Sequence, residues 1–294
     1  MSSGEQLVAA PEPMHRWHGF HNVTIAGDSW GDASGPLVVL LHGGGQTRHA
    51  WKGTGESLGS AGYFVVALDS RGHGDSDWAP DGLYTPDAMV EDLCCVVKAL
   101  GGRPAVLVGA SMGGATSLIA VGEEHLRTSA LVLVDVAPEL EPEGVLRIRQ
   151  FMGKNPEGFD TLDDVADAIA DYQPHRKRPR NLDGLSKIVR IGDNGKYRWH
   201  WDPRMFDRQT MMEEYQARLA RCARNLHVPT LLVRGAMSDL LSEQGAQNFL
   251  RQSPNSEYVS VTDAAHMVAG DQNDIFGAAL IEFLHRTVPI KGRS

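Results

Sequence analysis

The 294-residue chain is 42% hydrophobic and 22% charged, the composition of an ordinary globular protein long enough to bury a large core. Its formal charge of −9 lacks the basic surplus that general nucleic-acid binding needs. Cys94, Cys95 and Cys222 make neither a disulfide framework nor a zinc pattern, and no apolar run nears the roughly 20 residues of a membrane span.

In chain order, the N-terminus lacks the basic-then-apolar pattern of a secretory signal, so a cytoplasmic protein is expected. His15, His18 and His21 are evenly spaced, but Gly19 interrupts any helix and no acidic ligands join them; no metal is expected there. "RWHGFHNVTIAGDSWG" (16–31) reads as leading antiparallel strands. Then come "LVVLLHG" (37–43), "FVVALD" (64–69), "AVLVGA" (105–110), "ALVLVDV" (130–136) and "TLLVRGA" (230–236). These runs are apolar almost throughout, which suits parallel strands covered on both faces. Between them lie helical patterns such as "TPDAMVEDLCCVVKAL" (85–100), with Thr85 as N-cap and Pro86 at the first helical position. The residues 273–288 repeat the helical pattern. This alternation predicts an α/β fold with a mostly parallel twisted sheet flanked by helices.

The stretch from Pro138 to Cys222 carries no strong buried strand. It reads as a mainly helical cap inserted after the sixth strand, dividing the chain into 1–137, 138–222 and 223–294. Its basic loop "HRKRPR" (175–180) is either solvated or a recognition site for an anionic substrate such as a carboxylate or acyl-CoA. In "YRWHW" (197–201), Trp199 and Trp201 either line an acyl pocket or pin the cap to the core. Trp51 and Met112 are further pocket candidates.

The chemistry concentrates in "VLVGASMGGATS" (106–117), where a buried strand turns into a helix at Ser111. A tight strand-to-helix turn strains its central residue and brings strand and helix close, which explains Gly109, Gly113 and Gly114. The hydroxyl then stands beside a helix N-terminus, where the free N–H of Met112 can donate to an oxyanion. This is the G-x-S-x-G nucleophile elbow. The run is neither G-x-G-x-x-G nor followed by G-K-[ST], so dinucleotide and P-loop sites are not expected, and no cofactor is.

With "LVVLLHGGG", "DSRGHGDSD" and "GASMGG", the chain resembles the α/β-hydrolase superfamily over nearly its whole length apart from the insertion. The resemblance implies an acid and then a histidine downstream of the serine. Asp239 lies just beyond the strand 230–236 and His266 just beyond the last strand; Asp135, ending the strand 130–136, is the rival acid. The second oxyanion donor is implied at Gly44, with Gly43 and Gly45 shaping the turn or standing in for it. His42 is expected to brace this loop, and His73 to belong to a structural loop beside the site.

The implied activity is a cofactor-independent serine hydrolase acting on a small-molecule ester, lactone or thioester. Carbon–carbon bond hydrolysis, lyase chemistry or perhydrolysis on the same triad is the alternative, and a hydrolase-like ligand receptor a third. Oligomeric state is not encoded in any motif.

Overall fold

The computed structural model describes residues 4–7, 11–172, 178, 182–206, 212–262 and 273–290. The apolar runs become the middle of an eight-stranded sheet. Its strands are β2 (His15–His18), β3 (Thr24–Trp30), β4 (Leu37–Leu41), β5 (Phe64–Leu68), β6 (Ala105–Ala110), β7 (Thr128–Val134), β10 (Thr230–Gly235) and β11 (Ser256–Val261). Their spatial order is β11-β10-β7-β6-β4-β5-β3-β2. From β5 to β11 all neighbours pair parallel, while β2 and β3 add an antiparallel edge. The leading antiparallel strands expected over 16–31 are this edge.

Every residue of β4, β6 and β10 is buried, because helices cover both faces. Alternate side chains serve opposite layers. Val39, Leu41 and Leu107 pack with Leu93 and Val96 of α2 (Pro86–Ala99) and Leu118 of α3 (Met112–Gly122). Val38, Leu40, Val106 and Val108 pack with Leu58 of α1 (Lys52–Ala61) and with Phe276 and Phe283 of α8 (Asn273–Thr287). The start of α2 is as expected: Pro86 opens it and the Thr85 side chain accepts from the Ala88 amide at 3.3 Å.

The segment between β7 and β10 holds α4 (Pro142–Met152), α5 (Leu162–Tyr172), a hairpin of β8 (Val189–Ile191) and β9 (Tyr197–Trp199), and α6 (Met212–Arg224). It has its own apolar cluster, including Met152, Val165, Val189, Trp199 and Trp201. Two features differ from a purely helical insertion. The hairpin is extended by β1 (Glu5–Gln6), which pairs antiparallel with β8. Strands of two and three residues are too short to show a period, and β1 meets its partner across most of the chain. The last helix, α6, packs on the core instead: a Cβ on Gly122 of α3 would sit 2.5 Å from the Cα of Cys222. With α7 (Glu243–Gln252), it completes the layer around α3.

A buried charge cluster joins these parts. Arg48 is fully buried and pairs with Asp69 at 2.6 Å, Asp75 at 2.7 Å and Asp28 at 3.0 Å. Arg190 of β8 also reaches Asp75, at 2.7 Å, and so ties the inserted segment to the loop after β5. Removing one partner from such a cluster strands the others without water. Arg48→Met should therefore destabilise the fold by about 3–5 kcal/mol in urea unfolding; a loss under about 1 kcal/mol would show that the carboxylates are solvated after all.

Candidate active site

At the carboxyl end of β6 the backbone reverses sharply. Ser111 adopts φ 46° and ψ −113°, a conformation that side-chain-bearing residues rarely take, and serves as the N-cap position of α3. The glycines permit this bend. A Cβ on Gly109 would lie 2.4 Å from the Gly113 carbonyl oxygen, one on Gly113 2.5 Å from the Leu41 carbonyl oxygen, and one on Gly114 2.4 Å from Val136 Cγ1. Gly113 N–H also donates to His42 O at 3.1 Å, pinning the helix start to the end of β4.

The loop after β4 faces this bend. Gly43 N–H donates to Gln46 Oε1 at 2.9 Å, and Gly45 N–H to His73 Nε2 at 3.1 Å. The amide between them, on Gly44, meets no acceptor among the described residues, and neither does that of Met112 in the first turn of α3. Two unclaimed donors thus flank the Ser111 side chain along one cavity wall.

Three buried imidazoles hold the loop in place. His42 Nδ1–H donates to Gly43 O at 2.8 Å while its Nε2 accepts from Ser70 N at 2.9 Å. His73 accepts from Gly45 N and donates from Nδ1 to Arg71 O at 3.3 Å. His200, arriving from the inserted segment, accepts from Gly74 N at 2.7 Å and donates from Nε2 to Gly45 O at 3.3 Å. Each ring has one donor and one acceptor partner, so the bonding requires the neutral form. The rings follow one another at centroid distances of 5.1 Å and 5.7 Å. Burial pushes all three below the ordinary imidazole value; for His73, burial and the neighbouring His42 take it down to about 3.

A cavity of about 530 Å³ opens over Ser111, between the sheet edge and the inserted segment. Trp199 and Trp201 stack on each other at 4.8 Å and both line it. Trp201 Nε1–H also donates to Met152 O at 3.1 Å, placing Met152 over the glycine loop, where a Cβ on Gly44 would find its sulfur at 3.5 Å.

The two carboxylates weighed as the acid lie in contrasting surroundings. Asp135 follows β7 with φ 52° and is fully buried. Its amide donates to Val233 O, and Ser111 N–H donates to Val134 O, so Asp135 lies at the carboxyl end of the strand next to that of the serine. Ser238 Oγ accepts from the amides of Leu240 and Leu241, which leaves its own proton for Asp135 Oδ2, at 2.5 Å. The Gly235 amide donates to Asp135 Oδ1 at 3.2 Å. Asp239 is instead 47% exposed and ion-paired at 2.8 Å to Arg147 of α4. The cause is local: α4 starts against this loop, with Gly144 so close that a Cβ would lie 2.3 Å from Asp239 O.

His266 lies outside the described residues. So does most of the basic loop 175–180; its Arg178 pairs with Asp163 and Asp167 on α5. Trp51, expected at the pocket, is in the core: it is 1% exposed, meets Phe276 at 6.0 Å and belongs to the apolar layer that includes Val38 and Leu40 of β4, because the 3-10 turn Arg48–Trp51 buries it there. His200 is the residue that sequence reasoning overlooked. The signal was the alternation in "YRWHW", which puts His200 on the face opposite its two tryptophans.

The α/β hydrolase fold family profile matches residues 36–271, and the chain belongs to that family. Esterase Rv0045c of Mycobacterium tuberculosis is 31% identical over 83% of this chain and 80% of its own length. The 3-hydroxybutyrate-oligomer hydrolase of Cupriavidus necator is 28% identical over 87% of this chain and 89% of its own. Among solved structures, E-2-(acetamidomethylene)succinate hydrolase shares the fold with a TM-score of 0.78 and 24% identity, covering 92% of this chain and 98% of that one.

The neutral imidazole brace makes stability depend on pH. Free imidazoles bind protons below about 6.5, whereas the folded brace refuses them, His73 down to about 3. Over that interval the unfolded chain binds more protons, so stability falls as pH falls, by up to about 1.4 kcal/mol per pH unit for each such histidine. Thermal melting between pH 6.5 and 5, above the range where carboxylates titrate, should show a steady drop in Tm; a flat profile would mean that the rings take up protons in place.

Proposed function

We propose that the protein is a serine hydrolase that cleaves carboxylic esters, lactones or thioesters through an acyl-enzyme on Ser111. The observation that carries this reading is the strained bend at Ser111 with the unclaimed amides of Gly44 and Met112 beside it. The names of the esterase and hydrolase relatives support it.

In this reading His266 removes the Ser111 proton as Oγ attacks the substrate carbonyl. The carbonyl π pair moves onto oxygen, and the two amides stabilise the resulting anion. Such donors gain strength in a site that excludes water. The intermediate collapses, and His266 returns the proton to the leaving alcohol or thiol. Water, deprotonated by the same imidazole, then attacks the acyl carbonyl, and Ser111 leaves with its proton restored.

The acid in this scheme is Asp135 rather than Asp239. A triad acid orients the imidazole and stabilises its cation, which needs a buried carboxylate held in one direction. Asp135 is buried and fixed by Ser238 and Gly235, whereas Asp239 is half exposed and engaged by Arg147. Trp199 and Trp201 supply an apolar wall for the acyl or alcohol group.

Ser111→Ala should abolish turnover of p-nitrophenyl esters and labelling by a fluorophosphonate; retention of both would refute the acyl-enzyme. Asp135→Asn should lower kcat by about 10³–10⁴-fold, since the amide holds the wrong imidazole tautomer. Asp239→Asn should change it by less than about threefold, the weight of an exposed ion pair. The reverse ranking would restore Asp239 as the acid.

A further inference from the structure

The cavity over Ser111 has a charge pattern unlike that of the chain around it. The whole sequence has 37 acidic residues against 28 Lys and Arg. Yet among the described residues lining the cavity there is no Asp or Glu, while Arg149 and Lys187 both line it. Neither has a carboxylate partner among the described residues, in contrast to Arg147 and Lys154 nearby, which pair with Asp239 and Asp171. The rest of the wall is mostly apolar, with Ile148, Met152, Ile188 and Trp199 next to the two cations.

The two cations reach the cavity from different elements of the inserted segment, Lys187 half-buried and Arg149 exposed. Arg149 lies three residues, about 4.5 Å of helical rise, before Met152, the residue packed over Gly44 and Gly45. Lys187 ends the 3-10 turn Asp183–Lys187 and precedes Ile188, whose carbonyl accepts from the amide of His200 at 3.2 Å. His200 in turn holds Gly45. Lys187 is also near enough to add to the depression of His49, which lines the same cavity. There burial acts first and Arg48 next, with Asp69 and Asp28 opposing and Lys187 adding to the push. Cations left without counter-ions on an apolar wall attract an anion and steer it inward.

We infer that Arg149 and Lys187 form an anionic subsite, so that the substrate is an ester or thioester carrying a second, anionic group a short apolar spacer away from the scissile carbonyl. This rests on the acyl-enzyme reading for the position of the carbonyl. It is independent of the basic loop 175–180. The shared chemistry is an anionic oxygen group; whether it sits on the acyl or the alcohol side is for the experiment to separate.

The test uses two matched pairs of substrates with the full-length protein. On the acyl side, the mono-p-nitrophenyl ester of glutaric acid is compared with p-nitrophenyl valerate. On the alcohol side, 4-carboxyphenyl butyrate is compared with its methyl ester. The inference expects the anionic member of one pair to be favoured in kcat/KM by about 10–100-fold, the weight of hydrogen bonds to a charged group. That ratio should fall to about 1 in the Arg149→Met, Lys187→Met double variant. Equal efficiency within both pairs, or a preference that survives in the double variant, overturns it. The ratio of dissociation constants for the same pairs, measured calorimetrically on Ser111→Ala protein with and without the two Met replacements, reads the subsite without turnover. Anionic preference in binding with no turnover by the wild type would sink the acyl-enzyme alone; turnover without preference would sink the subsite alone.

Discussion

The site depends on one steric constraint: strand β6 and helix α3 meet with no room for side chains at the crossing. Gly109 lies against Gly113, Gly113 against the end of β4, and Gly114 against Val136. These contacts over-determine the backbone at Ser111 and hold it at a positive φ that it would not adopt alone. The same contacts tie up the Gly113 amide on His42 O and leave the Met112 amide, in the cavity lining, unclaimed. Strain at the serine and donor placement are thus two results of one packing arrangement, which the buried parallel sheet supports.

The loop that follows β5 is the second determinant. Its residues 69–78 work mainly through hydrogen bonds rather than apolar packing. Asp69 and Asp75 hold Arg48; His73 takes the Gly45 amide; Gly74 takes His200 and Arg190; Trp78 Nε1–H donates to His200 O at 3.1 Å. On the far side, the Asp202 amide donates to Gly72 O at 2.9 Å, and Tyr84 OH donates to the Asp202 carboxylate. One loop therefore positions both the glycines beside Ser111 and the segment that roofs the cavity. Movement of that segment would be felt at Gly45 through the His200 imidazole and through Met152 and Trp201 packed over the loop.

The parts of this arrangement that local chemistry dictates were legible in the sequence. Continuous apolar runs identify two-sided burial, and glycines spaced around Ser111 identify a crowded bend. His42 as a brace follows from its place at the end of β4. The parts that were not legible depend on contacts between distant segments. Asp135 and Asp239 both follow strong apolar strands, and spacing cannot separate them. What distinguishes them is the positive φ at Asp135, the Ser238 hydroxyl turned toward it, and Arg147 on a helix that no local pattern places against Asp239. His200 and Gly74 are 126 positions apart, and β1 pairs with β8 through strands too short to carry periodicity. Trp51 was misplaced because an aromatic near a glycine loop has the same local sequence whether it faces cavity or core.

A crystal structure of the protein after reaction with an alkyl phosphonate ester tests the central claim most directly, since the tetrahedral phosphorus mimics the acyl-transfer intermediate. The account predicts a covalent bond to Ser111 Oγ and a phosphonyl oxygen about 2.7–3.1 Å from the amide nitrogens of both Gly44 and Met112. An adduct on another residue, or one on Ser111 whose oxygen turns away from both amides, would contradict it.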